Sequence, residues 1–164
     1  MSPNWMAVWT RSHHEMTVHD HLSALSVEVY LPLLQLESRR RDRRATIEIP
    51  AFPGYLFARL PVSEAYVVKS VRGVVGILGS SPQEYSLVPD EQIEAVRRLI
   101  ESRLRVDPFP YLKIGTRVRV KCGPLRGLEG TLVKKRSRLR LVIDVDLLSQ
   151  SISTEVRADD VECA

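Results

Sequence analysis

The sequence is poor in several of the features that announce a function. It has two cysteines, Cys122 and Cys163, too few for a thiolate zinc site or a secreted disulfide scaffold, so both are expected to be reduced thiols of a cytosolic chain. No apolar run approaches the roughly 20 residues that cross a bilayer. The opening Met1-Ser2-Pro3-Asn4-Trp5 also lacks the basic stretch and apolar core of a signal peptide, so no membrane association is expected. Charge of one sign is scarce: among 164 residues, 24 Lys and Arg stand against 20 Asp and Glu, a net charge of +4. That sum marks no nucleic-acid partner by itself, and the placement of the charges matters more. Catalytic signatures are missing as well. There is no phosphate-cradling glycine loop ending in lysine, Gly73, Gly76 and Gly79 are spaced three apart unlike a dinucleotide fingerprint, and no nucleophile elbow is present. The adjacent Asp159 and Asp160 sit in a polar stretch suited to solvent rather than to paired acid–base work. Neither enzymatic activity nor a cofactor is expected.

What is present is an ordinary globular composition, 44% hydrophobic and 27% charged, with clear periodicities. Trp5-Met6-Ala7-Val8-Trp9 reads as an opening buried strand. Ser12 stands three residues before Glu15, the capping-box spacing, and Val18, Leu22 and Leu25 recur at i, i+4 and i+7, which predicts a helix over 13–26. Val27, Val29 and Leu31 predict a second strand that stops at Pro32, and Ile47 and Ile49 a third, with a solvated hairpin or loop between them. Pro50-Ala51-Phe52-Pro53-Gly54-Tyr55 predicts a turn. A strand over 56–60, a short helix over 63–70 and a glycine-bounded strand over 73–79 follow. Pro89, trailed by Asp90 and Glu91, opens a helix whose stripe is Ile93, Val96 and Ile100. Residues 1–106 therefore read as an α/β layer sandwich of the α+β class.

The pattern changes beyond Ser102. Pro108 and Pro110 flank Phe109 without a period, so a linker is expected over 107–112. From residue 113 to the end the helical signal is absent and four or five short β-branched runs suggest a small closed barrel. Residues 1–106 hold 13 basic and 12 acidic side chains, and the remainder 11 and 8, so neither part is strongly basic. The positive charge is clustered instead, at Arg39, Arg40, Arg41, Arg43 and Arg44 and again over Lys134, Lys135, Arg136, Arg138 and Arg140.

Four histidines, His13, His14, His19 and His21, fall close together. Two helical ligands of one ion need i, i+3 or i, i+4 spacing, and His14 and His19 are about 140° apart on a helix, so no metal site is expected. The arginine run reads equally as a solvated hairpin tip and as a phosphate-contacting prong. The second cluster has no acidic residue and suits nucleic acid or an acidic protein surface. Trp5, Trp9, Phe52, Tyr55 and Phe57 are half of the chain's ten aromatics. They build a core, or, where the Pro-Gly turn presents a ring outward, a partner-binding groove.

Trp5-Met6-Ala7-Val8, Phe52-Pro53-Gly54-Tyr55-Leu56-Phe57, Val71-Arg72-Gly73-Val74 before Gly76, and the Pro89-Asp90-Glu91 helix occur in a fixed order. Ile114-Gly115-Thr116-Arg117-Val118-Arg119-Val120-Lys121-Cys122-Gly123-Pro124-Leu125, continued by Gly127-Leu128-Glu129-Gly130, reads as a KOW motif. Together they resemble the NusG family of transcription elongation factors over nearly the full length. The resemblance implies an N-terminal domain over 1–106 that docks on the clamp helices of RNA polymerase, and an SH3-like KOW barrel over 113–164 that recruits a ribosomal protein or the Rho terminator. It implies that Trp9, Phe52, Tyr55 and Phe57 form the polymerase-binding apolar surface. Arg11, His21 and Arg72 match positions that contact non-template DNA in RfaH-like paralogues, and the arginines at 39–44 are taken with them as nucleic-acid-binding, to DNA or nascent RNA. The KOW motif residues are Gly115, Val118, Val120, Gly123, Pro124 and Gly130. The tail from Val145-Asp146-Leu147-Leu148 to Val156 is similar to the UpxY-like paralogues that antiterminate long polysaccharide operons, and Leu125 stands where the housekeeping loop has an aromatic. The implied protein is a monomeric, non-enzymatic antitermination factor of the bacterial cytosol. The rival reading is a free-standing RNA- or DNA-binding module with a KOW barrel.

Overall fold

The computed structural model describes residues 2–37, 46–112 and 114–164. The chain divides into two compact units, Met1–Leu33 with Pro50–Asp90, and Leu34–Ile49 with Glu91–Ala164. Mixed α+β architecture followed by an all-β C-terminal part agrees with the expected fold class.

In the first unit, β1 (Asn4–Thr10) leads into α1 (Glu15–Ala24) and then β2 (Glu28–Tyr30). After β3 (Leu33–Glu37) and β4 (Thr46–Pro50), β5 (Tyr55–Leu60) pairs with β1 on one side and β2 on the other. A turn of 3-10 helix leads into α2 (Ala65–Lys69), then β6 (Val74–Ile77), a hairpin of β7 (Gly79–Ser81) and β8 (Glu84–Tyr85), and β9 (Leu87–Val88). The antiparallel sheet runs β2-β5-β1-β6, and β9 also pairs with β1. Alternation sends Met6 and Val8 of β1 and Leu56, Ala58 and Leu60 of β5 to the face where Val18 and Leu22 of α1 and Val68 of α2 pack. Each Met, Val or Leu among them, withdrawn from water, contributes about 1.5–3 kcal/mol.

The start of α1 departs from expectation. The residue before the helix is His14, without a side-chain cap, and Glu15, buried at 8% exposure, is committed to a turn far along the chain. The helix ends in a Schellman arrangement: Ser26 N–H bonds to Ser23 O (3.0 Å) and Val27 N–H to Leu22 O (3.1 Å), with Ser26 left-handed at φ 61°.

In the second unit β3 and β4 pair as a two-stranded ribbon. Strand β3 falls in the segment after Pro32 expected to be hairpin or loop, although Leu34-Gln35-Leu36-Glu37 alternates apolar and polar residues and its burial follows that alternation. Helix α3 (Asp90–Glu101) begins just after Pro89, and its buried residues are Ile93, Val96 and Leu99, with Leu99 in the place expected for Ile100. The strands β10 (Val106–Phe109), β11 (Thr116–Val120), β12 (Glu129–Lys135), β13 (Arg138–Val145), β14 (Gln150–Val156) and β15 (Val161–Cys163) form one antiparallel sheet ordered β10-β14-β13-β12-β11-β15. Val118, Val120, Leu141, Ile143, Val145 and Ile152 supply its buried apolar side chains.

The linker expected over 107–112 is corrected at its start. Asp107, Pro108 and Phe109 belong to β10 and pair with Ser153, Ile152 and Ser151 of β14. Proline is tolerated there because β10 lies at the sheet's edge, where a missing N–H breaks no ladder on the outer side. The compact units also divide at Asp90 rather than near residue 106.

Candidate functional site

The sheet register of the first unit sorts the aromatic residues. Trp9 lies opposite Tyr55, Ala7 opposite Phe57 and Trp5 opposite Arg59, all on the face away from α1. Trp9 is 47% exposed and Tyr55 half-buried. Phe52 and Phe57, expected to share a partner-facing surface with them, are 1% and 0% exposed. Their rings meet edge to face at 6.2 Å, and Tyr30 stacks on Phe57 at 6.5 Å, so these two belong to the interior and only support the outer pair from within. Gly76 lies on the other side of Trp9, and without a side chain it leaves the indole uncovered. Trp9 is also one wall of a groove of about 620 Å³ lined by Val75, Ile77, Pro82 and Tyr85. Lys69 holds the β7–β8 hairpin beside it, donating to Pro82 O at 3.1 Å and lying 4.8 Å over the Tyr85 ring.

The turn that delivers Tyr55 is fixed at both of its peptide groups. Pro53 and Gly54 occupy the centre of a type II turn closed by Tyr55 N–H to Phe52 O at 3.0 Å. Gly54 takes φ 85°, the left-handed conformation that such a turn demands at this place. Its carbonyl accepts Thr10 N–H at 2.8 Å, and its N–H donates to Glu15 Oε1 at 2.9 Å. Sequence reasoning missed this role of Glu15, since nothing local links it to a turn 39 residues away.

Arg11 and Arg72 are brought to the same end of the sheet. Arg11 N–H donates to Gly73 O at 2.8 Å, and both arginines are exposed. Gly73 permits this close passage: at φ 100°, a Cβ there would stand 3.1 Å from Val18 Cγ2 and 3.4 Å from His14 Cβ. His21 is exposed but lies six residues beyond Glu15, about 9 Å along α1, so it is not part of that pair. Arg39, Arg40, Arg41, Arg43 and Arg44 lie outside the described residues. His14 Nδ1 sits 2.9 Å from Ser12 O and His19 Nδ1 3.1 Å from Asp20 Oδ1. Among the described residues no group of three or more His, Cys, Asp or Glu could hold a metal ion, and no helix is long and apolar enough to cross a membrane.

In the second unit each motif position has a physical reason. At Gly115, φ 121°, a Cβ would fall 2.6 Å from Leu132 O, and at Gly130 it would fall 2.8 Å from Val142 O, so two strands can approach only through glycine. Val118 and Val120 are core at 3% and 4% exposure. Gly123 turns the chain at φ 85° beside Pro124, and Leu125 and Leu128 are buried. Arg98 of α3 donates to Arg126 O at 2.8 Å. Asp146 accepts from Gln92 Nε2 at 2.8 Å and from the Tyr111 hydroxyl at 2.7 Å. That hydroxyl's pKa is pushed up to about 12, chiefly by its hydrogen bond to Asp146. Cys122 donates its thiol to Asp160 Oδ1 at 3.2 Å, which raises its pKa above the ordinary thiol value and makes it a poor nucleophile.

A family model described as transcription termination factor nusG matches residues 3–97. The transcription termination/antitermination protein NusG of Borreliella burgdorferi is 25% identical over 99% of this chain and 99% of its own. The protein of that name from Thermus thermophilus is 25% identical over 88% of this chain and 91% of its own. A Thermotoga maritima NusG structure, described as showing domain interaction, is similar with a TM-score of 0.56 and 21% identity, covering 99% of this chain and 98% of that one. With the family model matching more than half of its residues, the chain belongs to the NusG family.

Proposed function

We propose that this protein is a non-enzymatic transcription elongation factor that docks on the clamp helices of RNA polymerase through the Trp9–Tyr55 face and promotes antitermination. The observation that carries this reading is an indole 47% exposed, opposite a half-buried tyrosine, on a sheet whose turn is pinned by Thr10 and Glu15. A rigid aromatic pair beside an apolar groove is the kind of anchor that dominates protein interfaces. The names of three curated relatives, each a termination/antitermination protein, support a role in transcription. A factor bound on both sides of the polymerase cleft disfavours the opened, paused state because it binds the closed state better. Arg11 and Arg72, exposed and adjacent, are the groups we assign to the non-template DNA strand. The barrel is assigned the recruitment of a second factor, a ribosomal protein or Rho. The arginine-rich insert supports a specialised paralogue that serves particular long operons.

Trp9→Ala combined with Tyr55→Ala should abolish co-purification with core RNA polymerase. At about 2 kcal/mol or more for an interface hot spot, each ring removed weakens binding roughly 30-fold. Both rings reach solvent, so the double variant should keep its circular dichroism spectrum. Undiminished retention by a folded variant would overturn the docking assignment. In a run-on assay over a terminator, the wild type should extend read-through and the variant should not.

A further inference from the structure

The structure divides the second basic cluster into two kinds of arginine and lysine. Arg138 is paired with Glu155 at 3.0 Å. Arg140 is held by Asp107 at 3.0 Å and donates through Nε to Ser153 Oγ at 2.8 Å. These two belong to the sheet. Lys134, Lys135 and Arg136 have no carboxylate partner among the described residues. Lys135 Nζ lies 5.5 Å over the Phe109 ring, a contact that leaves its N–H donors available.

These three cations occupy the tip of the β12–β13 hairpin. Lys135 pairs with Arg138 and Lys134 with Leu139, leaving the two-residue loop Arg136-Ser137. Both loop residues are left-handed, at φ 50° and 61°, as a type I′ turn requires, although neither is the glycine or asparagine that takes this shape cheaply. A left-handed non-glycine residue costs about 1–2 kcal/mol. The turn thus holds a guanidinium at its apex at some cost to stability. Consecutive strand residues point to opposite faces, so Lys134 and Lys135 flank the hairpin while Arg136 leads it.

We infer that this hairpin is a prong that grips the phosphodiester backbone of nucleic acid, independently of the polymerase-docking face. The stretch 134–138 carries no apolar or aromatic side chain. Protein interfaces depend on apolar and aromatic anchors and are depleted of lysine at their centres. Cations on two faces and a tip, without an anchor, match a polyphosphate chain better than an acidic protein surface. Contacts of this kind ignore base sequence and release counterions.

The test uses the full chain and fluorescence anisotropy with an unstructured single-stranded RNA, the DNA of the same sequence, and poly-glutamate, each across a salt series. Three phosphate contacts add about 2 to the slope of log K against log salt, and about 100-fold in affinity near 0.1 M salt. Lys134→Ala/Lys135→Ala/Arg136→Ala should lose that much of both. Arg136→Gly, which the turn geometry favours, should lose about a third of the slope difference while melting no lower than wild type. Tighter binding to RNA assigns the transcript as the natural ligand, and tighter binding to DNA a displaced single strand. Equal affinity and slope in the wild type and a folded triple variant would overturn the inference, as would binding to poly-glutamate without binding to either nucleic acid. Polymerase co-purification should be unchanged in the triple variant, which separates this outcome from failure of the docking face.

Discussion

At the residue scale, two glycines show how differently the same residue type is required. Gly54 has a positive φ but open space around the position of a Cβ, so Gly54→Ala should cost about 1–2 kcal/mol of conformational strain and no more. At Gly115 a Cβ would also lie 2.6 Å from both Leu132 O and Thr131 Cγ2. Gly115→Ala should therefore destabilise by about 3 kcal/mol or more, the sum of strain and overpacking, as measured by denaturant unfolding. The glycines were legible in the sequence as turn signals, yet which of them is crowded depends on strand partners that no local pattern names. Glu15 was misjudged for the same reason: its spacing from Ser12 suits a cap, but its carboxylate is held by Gly54 N–H. Phe52 and Phe57 left a clearer clue. The unbroken apolar run Tyr55-Leu56-Phe57-Ala58 is the mark of a strand covered on both faces, which leaves exposure only to aromatics at its end.

At the scale of elements, the end of α1 offers a gain in stability. Ser26 closes the Schellman turn in a conformation that glycine adopts without penalty. Ser26→Gly should raise stability by about 0.5–1 kcal/mol, the relief of left-handed strain less the extra freedom that glycine has in the unfolded chain. A thermal melt that falls would contradict this. Periodic elements such as α1 and α3 were readable because side-chain period and packing face largely coincide, although Leu25 of the expected α1 stripe is 53% exposed, and β5 was readable as a continuous apolar run. The edge strand β10 was not, because Asp107 and Pro108 oppose strand propensity and its extended shape comes from pairing with β14; the alternation in β3 spans only Leu34 to Glu37, too short to stand out beside Pro32.

At the scale of the whole molecule, Tyr111, Gln92 and Asp146 tie three distant segments of the second unit together. The raised Tyr111 pKa makes the neutral hydroxyl the stabilising form. That contribution is complete below the ordinary tyrosine value of 10.0 and is lost as pH rises through about 12. Tyr111→Phe should flatten this alkaline part of the stability profile and leave the neutral part with the loss of one hydrogen bond, as urea titrations at several pH values would report. Strand β10 carries a second whole-molecule expectation. A fragment beginning at residue 113 leaves the outer side of β14 unpaired, an invitation to association. One beginning at residue 91, which keeps α3 and β10, should associate less than the shorter fragment by size-exclusion chromatography.

The interleaved make-up of the two units also sets an order of events during synthesis. Strands β3 and β4 leave the ribosome before β5, yet the rest of their compact unit, 91–164, is made last. The first unit can close as soon as Asp90 has emerged, while the β3–β4 ribbon must wait through translation of the remaining chain. A nascent protein stalled just after Asp90 has emerged would therefore hold a finished sheet with its aromatic pair already presented, and a ribbon still without the rest of its unit.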